Sequence, residues 1–267
     1  MPSKQSQVIE KIFNRCKEDK NYVFCNEAVK EVCKEKRFGN PFTATKFYSI
    51  AKLPEILLEN DYAIISLGSG KYKFIEGINK VYHKFEKIQE HIDWEYKKSL
   101  LNQHNTSESN ILSVANNQRI LHHFLFGKDT EFDDVDILMR PKTYFPHRTK
   151  TSFEYSFGEN TKIVFDNIQI EIDLTIEFQG TICVFEGKNG KPDSFNVCQI
   201  YHPFLYYYNA KEDLNGENIK IICVYVVREK GKKYDTLKLW SYTFTNPLDI
   251  TSIKLIKSAA YKLINIS

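Results

Sequence analysis

The stretch Ile170-Glu171-Ile172-Asp173-Leu174-Thr175-Ile176-Glu177-Phe178-Gln179-Gly180-Thr181-Ile182-Cys183-Val184-Phe185-Glu186-Gly187-Lys188 decides how the chain is read. Two apolar, β-branched runs flank the Gln179-Gly180 pair, which gives a strand, a two-residue turn and a second strand. An acid, Asp173, interrupts the first run, and the second ends in Glu186-Gly187-Lys188. The period of two along a strand puts Glu186 and Lys188 on one face. Pairing across the turn would bring Asp173 alongside Glu186.

Working outward, Ser152 to Phe157, Lys162 to Phe165, Ile168 to Phe178 and Thr181 to Phe185 are separated by short polar or glycine-containing breaks. They predict an antiparallel meander. A helix is expected from about Ser194 to Tyr208. Ile219 to Val227 is an almost unbroken apolar run, which fits a strand covered on both faces. Strands, a helix and a buried strand in that order predict a mixed α/β (α+β) core, a central mixed sheet flanked by helices. Upstream, Lys80 to Gln103 and Ser109 to Phe126 carry helical patterns around the polar break Asn102 to Ser107, and Trp94 is expected to pack on the core.

Residues 1–78 form a smaller unit and residues 79–267 the larger domain. Val8, Ile9, Ile12, Phe13 and Cys16 recur at helical spacing, and Asn26 can cap a second helix. Thr43 or Thr45 can begin a third, with a further turn at Leu53 to Asn60. Tyr62 to Ser66 and Tyr72 to Ile75 around Leu67-Gly68-Ser69-Gly70-Lys71 predict a hairpin. This order resembles a winged helix-turn-helix, in which the third helix enters the DNA major groove and the hairpin follows the backbone. The resemblance implies Thr43, Thr45, Lys46 and Lys52, with Lys71 and Lys73 of the wing, as DNA contacts. A helical unit that only packs on the core is the alternative.

Of 267 residues, 37 are basic and 34 acidic, so the formal net charge is only +3 and a nucleic-acid surface must come from local clustering. The six cysteines form no CxxC pair and no zinc-finger spacing. No stretch approaches the roughly 18 apolar residues of a membrane span, and the N-terminus lacks the apolar core of a signal peptide. A reduced, cytoplasmic protein is expected.

Two carboxylates at the end of a partly buried sheet repel each other and lose hydration. A divalent cation answers both problems, and an all-oxygen donor set suits Mg²⁺. Lys188 beside them would orient or help deprotonate a water and stabilise developing negative charge. Glu-x-Lys occurs three times, at Glu18, Glu95 and Glu186, and only the third closes an apolar strand that follows one carrying its own acid.

These residues resemble the PD-(D/E)XK nuclease superfamily, to which most type II restriction endonucleases belong. The resemblance spans about 100 to 120 residues. It implies a restriction-endonuclease-like core, Asp173 and Glu186 as ligands of Mg²⁺, and Lys188 as the catalytic lysine; Ile172 stands where the family name has proline. Many members also place a polar residue on the following helix, facing the site, and Gln199 is the candidate, with Tyr206 seven residues on. The implied activity is hydrolysis of double-stranded DNA at a short sequence, leaving 5′-phosphate ends, by a homodimer with one site per strand. Another nuclease of repair, junction resolution or phage defence is the nearest alternative, and a non-catalytic DNA-binding regulator the one from a different class.

Some members carry an extra acid on a helix before the sheet. The stretch Asn116 to His123 has none, so Gln118 is a weak substitute and Glu171 a better one; Glu131, Asp133, Asp134 and Asp136 read rather as a solvated loop. The adjacent His122 and His123 point apart on a helix and read as core or surface histidines. The basic, proline-punctuated stretch Arg140 to Lys150 precedes the catalytic strands. Arg140, Lys142, Arg148 and Lys150 are its candidate DNA contacts, with an arginine suited to guanine; an ordinary basic loop is the alternative.

Overall fold

The computed structural model describes residues 2–101, 103, 107–127, 136, 140–159, 161–213 and 218–266. Helix α1 (Lys4–Glu18) starts at Ser3, whose side chain accepts from the Ser6 N–H, and it buries Val8, Ile9, Ile12, Phe13 and Cys16. Strand β1 (Val23–Cys25), α2 (Asn26–Lys36) and α3 (Glu55–Asn60) follow, then β2 (Tyr62–Gly68) and β3 (Lys71–Glu76). The three strands pair in the order β1-β3-β2. A helix, a strand, two helices and a hairpin thus follow one another in this unit.

The expected third helix is displaced. Thr43 ends a 3-10 turn, Pro41–Thr43, a second such turn covers Ile50–Lys52, and the α-helix waits until Glu55, after Pro54. Thr45 is buried and unavailable to a ligand, whereas Thr43, Lys46, Lys52 and Lys71 are exposed and Lys73 is half-buried. The tip of the hairpin is engaged within the chain: the Ser69 hydroxyl donates to Asp166 Oδ2 at 2.9 Å. The hairpin therefore rests on the protein at its turn.

The helix expected from Lys80 to Gln103 is absent. The chain forms β4 (Tyr82–Lys84) and β5 (Glu90–Tyr96) instead. In β5 the half-buried Ile92, Trp94 and Tyr96 alternate with exposed Asp93 and Glu95, a period of two that the Lys/Glu-rich composition obscures.

Next come α4 (Glu108–Asn117), α5 (Ile120–Phe126), β6 (Lys142–Tyr144), β7 (His147–Ser156), β8 (Lys162–Ile172), β9 (Leu174–Phe178) and β10 (Thr181–Asn189). The remainder is β11 (Ser194–Asn196), α6 (Cys198–Asp213), β12 (Lys220–Glu229), β13 (Thr236–Phe244) and β14 (Ile253–Asn265). Seven strands form the central sheet in the order β5-β14-β13-β12-β10-β9-β6. The pairs β10–β12 and β14–β5 are parallel and the others antiparallel, so this is a mixed sheet in an α+β protein.

Helices cover both faces. Ile200, Tyr201, Phe204 and Leu205 of α6 share a core with Cys223, Tyr225 and Tyr242. On the other face Ile111, Leu112, Ile120, Leu121 and Phe124 meet Val224, Val226, Leu237 and Leu239. Each such buried side chain contributes on the order of 1.5–3 kcal/mol. Among the described residues no helix is long and apolar enough to cross a membrane. All six cysteines are free thiols.

The meander is replaced by two hairpins. β7 and β8 pair as a sheet of their own, β9 and β10 belong to the central sheet, and the chain changes sheets at Asp173. The single strand expected from Ile168 to Phe178 is thus broken at Asp173, between Ile172 at the end of β8 and Leu174 at the start of β9.

Candidate active site

The break puts Asp173 at the mouth of the β9–β10 hairpin. Leu174 is paired with Phe185, and Asp173 Oδ2 accepts the Gly187 N–H at 3.2 Å. Glu186 and Lys188 share a face of β10, as alternation requires, and Lys188 Nζ lies 3.0 Å from Glu186 Oε1. Gln199, in the first turn of α6, donates through Nε2 to Glu186 Oε1 at 2.7 Å. Tyr225, beside Glu186 on the parallel strand β12, donates its hydroxyl to Gln199 Oε1 at 3.4 Å. That contact leaves the Gln199 NH₂ group turned toward the carboxylate.

A residue missed in the sequence completes the cluster. Glu108, in the first turn of α4, places Oε2 2.7 Å from Lys188 Nζ. The helix can come this close because residue 187 is glycine: a Cβ there would lie 3.1 Å from the Glu108 carbonyl oxygen and 3.3 Å from Leu112 Cγ. The available signal was Ser107, a capping residue whose side chain accepts from the Asn110 N–H, followed at once by an acid after a polar break. Tyr48 was also missed; its half-exposed ring lies with its centroid 5.7 Å from Lys188 Nζ.

Two carboxylates, Glu186 and Glu108, thus contact one ammonium, and Asp173 is close enough to feel its charge. The Glu186 side chain is 11% exposed and that of Lys188 17%, while Glu108 is 48% exposed. Burial, with help from Asp173 and Glu108, pushes the Glu186 carboxyl up to about 8 against the opposing pull of Lys188. Asp173 is also raised, first by burial and further by Glu108 and Glu171, although the Gly187 N–H and Lys188 act the other way. Burial works to neutralise Lys188, but Glu186 and Glu108 outweigh it and hold the amine as an ammonium.

The remaining expectations fall elsewhere. Glu171 is exposed and paired with Arg148 at 2.6 Å, so its carboxylate is turned to β7. Gln118 is buried where α4 ends, and its carbonyl accepts from Trp94 Nε1 at 3.1 Å; it takes no part in the cluster. His122 is buried, and His123 Nδ1 lies 2.8 Å from the Tyr261 hydroxyl, so both pack within the fold. Asp136 is exposed, while Glu131, Asp133 and Asp134 lie outside the described residues. Lys142 stands 3.8 Å from Glu177; Lys150 is exposed and Arg140 half-buried. Tyr206 and Tyr207 line a cavity of about 380 Å³ with Lys142, Tyr144, His147 and Glu177.

Among the described residues no three His, Cys, Asp or Glu side chains converge as a ready-made cation cage. Two carboxylates with room for water are nonetheless a sufficient donor set for Mg²⁺, which retains much of its hydration. Burial raises both carboxyls in the metal-free protein, a cost that a bound cation would relieve.

Residues 77–262 match the family described as Domain of unknown function (DUF6997), and residues 6–74 match Domain of unknown function (DUF6996). The first match covers more than half of the chain, which therefore belongs to the DUF6997 family. No curated protein and no solved structure matches it.

Proposed function

We propose that this protein is a Mg²⁺-dependent nuclease of the PD-(D/E)XK type that hydrolyses phosphodiester bonds in double-stranded DNA. The observation that carries this reading is the convergence of Asp173, Glu186, Lys188 and Gln199 from the β9–β10 hairpin and the following helix, with Glu108 closing the group. Asp173 and Glu186 would hold the cation, which supplies Lewis-acid stabilisation of the phosphate and a lowered pKa for an attacking water.

The chain's own residues have separate tasks. Lys188, kept protonated by its two acids, presents a positive charge to the oxygens on which negative charge develops. This favours charge stabilisation by Lys188 over proton abstraction. Gln199 fixes the orientation of the Glu186 carboxylate through its amide. Glu108 holds the lysine in place from the opposite side and supplies the extra helical acid.

The fuller reading is a type II restriction endonuclease acting as a homodimer, with the exposed Tyr144, Phe145, Arg148 and Lys150 of the β6–β7 stretch reading or gripping the duplex. The test is incubation of plasmid and phage DNA with the purified protein in Mg²⁺ or in EDTA, beside Lys188→Ala. Discrete bands that require Mg²⁺ and are lost in the variant support the reading. Absence of cleavage of duplex, nicked or branched DNA under any divalent metal would overturn it.

A further inference from the structure

The site stands at one end of the strands of the central sheet, and topology brings a second group of charges to the same end. Strands β10 and β12 are parallel neighbours, with Lys188 opposite Val227 and Asn189 opposite Arg228; the Gly190 N–H donates to the Arg228 carbonyl at 3.0 Å. Strand β13 runs antiparallel to β12, so the turn joining them stands at the end of the sheet where β10 delivers Lys188. That turn reads Lys230-Gly231-Lys232-Lys233-Tyr234-Asp235. Neighbouring strands are about 4.8 Å apart, which with the length of the turn puts its lysines roughly 10–15 Å from Lys188. One DNA strand advances about 3.4 Å per phosphate, so the separation corresponds to a few phosphates.

The turn is firmly built. Arg228 Nε donates to Asp235 Oδ2 at 2.9 Å, and the Gly231 N–H donates to Asp235 Oδ1 at 3.3 Å. No side chain fits at position 231, because a Cβ would come within 2.0 Å of the Tyr234 carbonyl oxygen. The acids of the turn are consumed in holding it: Asp235 by Arg228, and Glu229 by Lys238, with Lys191 at 3.7 Å. Lys230, Lys232 and Lys233 are exposed, and among the described residues none of them makes an ion pair. Three like charges on four successive residues repel one another; Lys233 Nζ lies 5.1 Å from the Tyr234 ring centroid, and among the described residues no acid pairs with the three. A fixed turn that presents them together loses little entropy on meeting an anion.

We infer that the Lys230–Lys233 turn is a phosphate clamp that grips the backbone of duplex DNA beside the candidate active site. This rests on the nuclease reading for its partner but not for its test. Binding of a labelled random-sequence duplex to the full chain is measured in EDTA over roughly 50–200 mM salt. The comparison includes K230Q/K232Q/K233Q and K230R/K232R/K233R, with melting temperatures to show that each variant is folded. Each lost phosphate contact removes about 0.9 from the slope of log K against log salt. The Gln variant is expected to have a slope shallower by about 2–3 and an affinity at least ~10-fold lower near 100 mM salt, and the Arg variant to match the parent.

A Gln variant that keeps the parental slope and affinity would overturn the inference. So would a parent that binds phosphatidylserine vesicles but no duplex at low salt, since the turn would then serve a lipid surface. A slope change without Mg²⁺-dependent hydrolysis would leave the clamp standing and remove the catalytic reading.

Discussion

Lys188 Nζ stands 2.7 Å from Oε2 of Glu108, a residue eighty positions earlier in the chain, and 3.0 Å from Oε1 of Glu186. The lysine is therefore held between an acid from a helix and an acid from its own strand. Glu108→Gln removes the charge of one of the two acids that contact the amine and fix its position. Because Glu108 is half exposed, the expected loss of stability is small, within about 1 kcal/mol. The expected loss of DNA cleavage is larger, about 10–100-fold, the range for outer groups that orient a metal site. Single-turnover cleavage and thermal melting of the same sample separate the two. A variant that melts early and cleaves at the parental rate would show that the contact is only structural.

The raised carboxyls predict an unusual stability profile for the metal-free protein. Between the ordinary carboxylate value and about 8, the folded state holds a proton on Glu186 that the unfolded chain releases. The folded state is the more protonated, so stability falls as pH rises through that window. His202 acts in the opposite sense lower down: burial keeps it neutral to about 4, while the unfolded chain takes up its proton below about 6.5. The clean window is thus pH 6.5 to 8, over which melting in EDTA should show a loss of about 1–2 kcal/mol. Glu186→Gln should flatten this limb, and Mg²⁺ should raise the melting temperature more at pH 8 than at pH 6.5. A metal-free protein that grows more stable from pH 6.5 to 8 would contradict the assignment.

The approach of α4 to β10 can be tested at one atom. In Gly187→Ala the new methyl group would lie 3.1 Å from the Glu108 carbonyl oxygen and 3.3 Å from Leu112 Cγ, so the helix must give by a few tenths of an ångström. Overpacking of this kind costs on the order of 1–3 kcal/mol. The displacement draws Glu108 away from Lys188, so the cleavage defect should match that of Glu108→Gln, and the double variant should be little worse than either single one. Additive defects would mean that Gly187 acts through something other than the position of Glu108.

The β9–β10 hairpin was legible because its signal is local: apolar alternation, a Gln179-Gly180 turn, and an acid and a lysine two residues apart on one strand. Gln199 was legible for a similar reason, since it lies in the first turn of the next helix. Glu108 was not, because its role depends on where α4 crosses β10, a contact between segments eighty residues apart. The strand β5 was misread because Lys and Glu are frequent around it, although Ile92, Trp94 and Tyr96 alternate with Asp93 and Glu95. Its place is fixed by the parallel ladder with β14, which no local pattern encodes. The sheet change at Asp173 was hidden likewise, since an apolar run of this length reads as one strand until its two halves find different partners.

Beneath the site, the chemistry of the core makes a last prediction. The Tyr155 hydroxyl lies 2.7 Å from His202 Nε2, and both side chains are buried between the β7–β8 hairpin and α6. Burial holds the imidazole neutral and the phenol protonated, so the two groups share one hydrogen bond whose direction is set by the tautomer of the ring. Tyr155→Phe keeps the ring stacked on Phe165, 4.3 Å between centroids, but leaves His202 Nε2 without its partner. An orphaned buried polar group costs about 1–3 kcal/mol, whereas His202→Phe combined with Tyr155→Phe removes both polar ends. The single variant should therefore be less stable than the double one, as measured by denaturant midpoint at neutral pH. If the double variant is the less stable, the pair contributes through its packing, and the hydrogen bond is incidental to the seating of α6 that delivers Gln199 to Glu186.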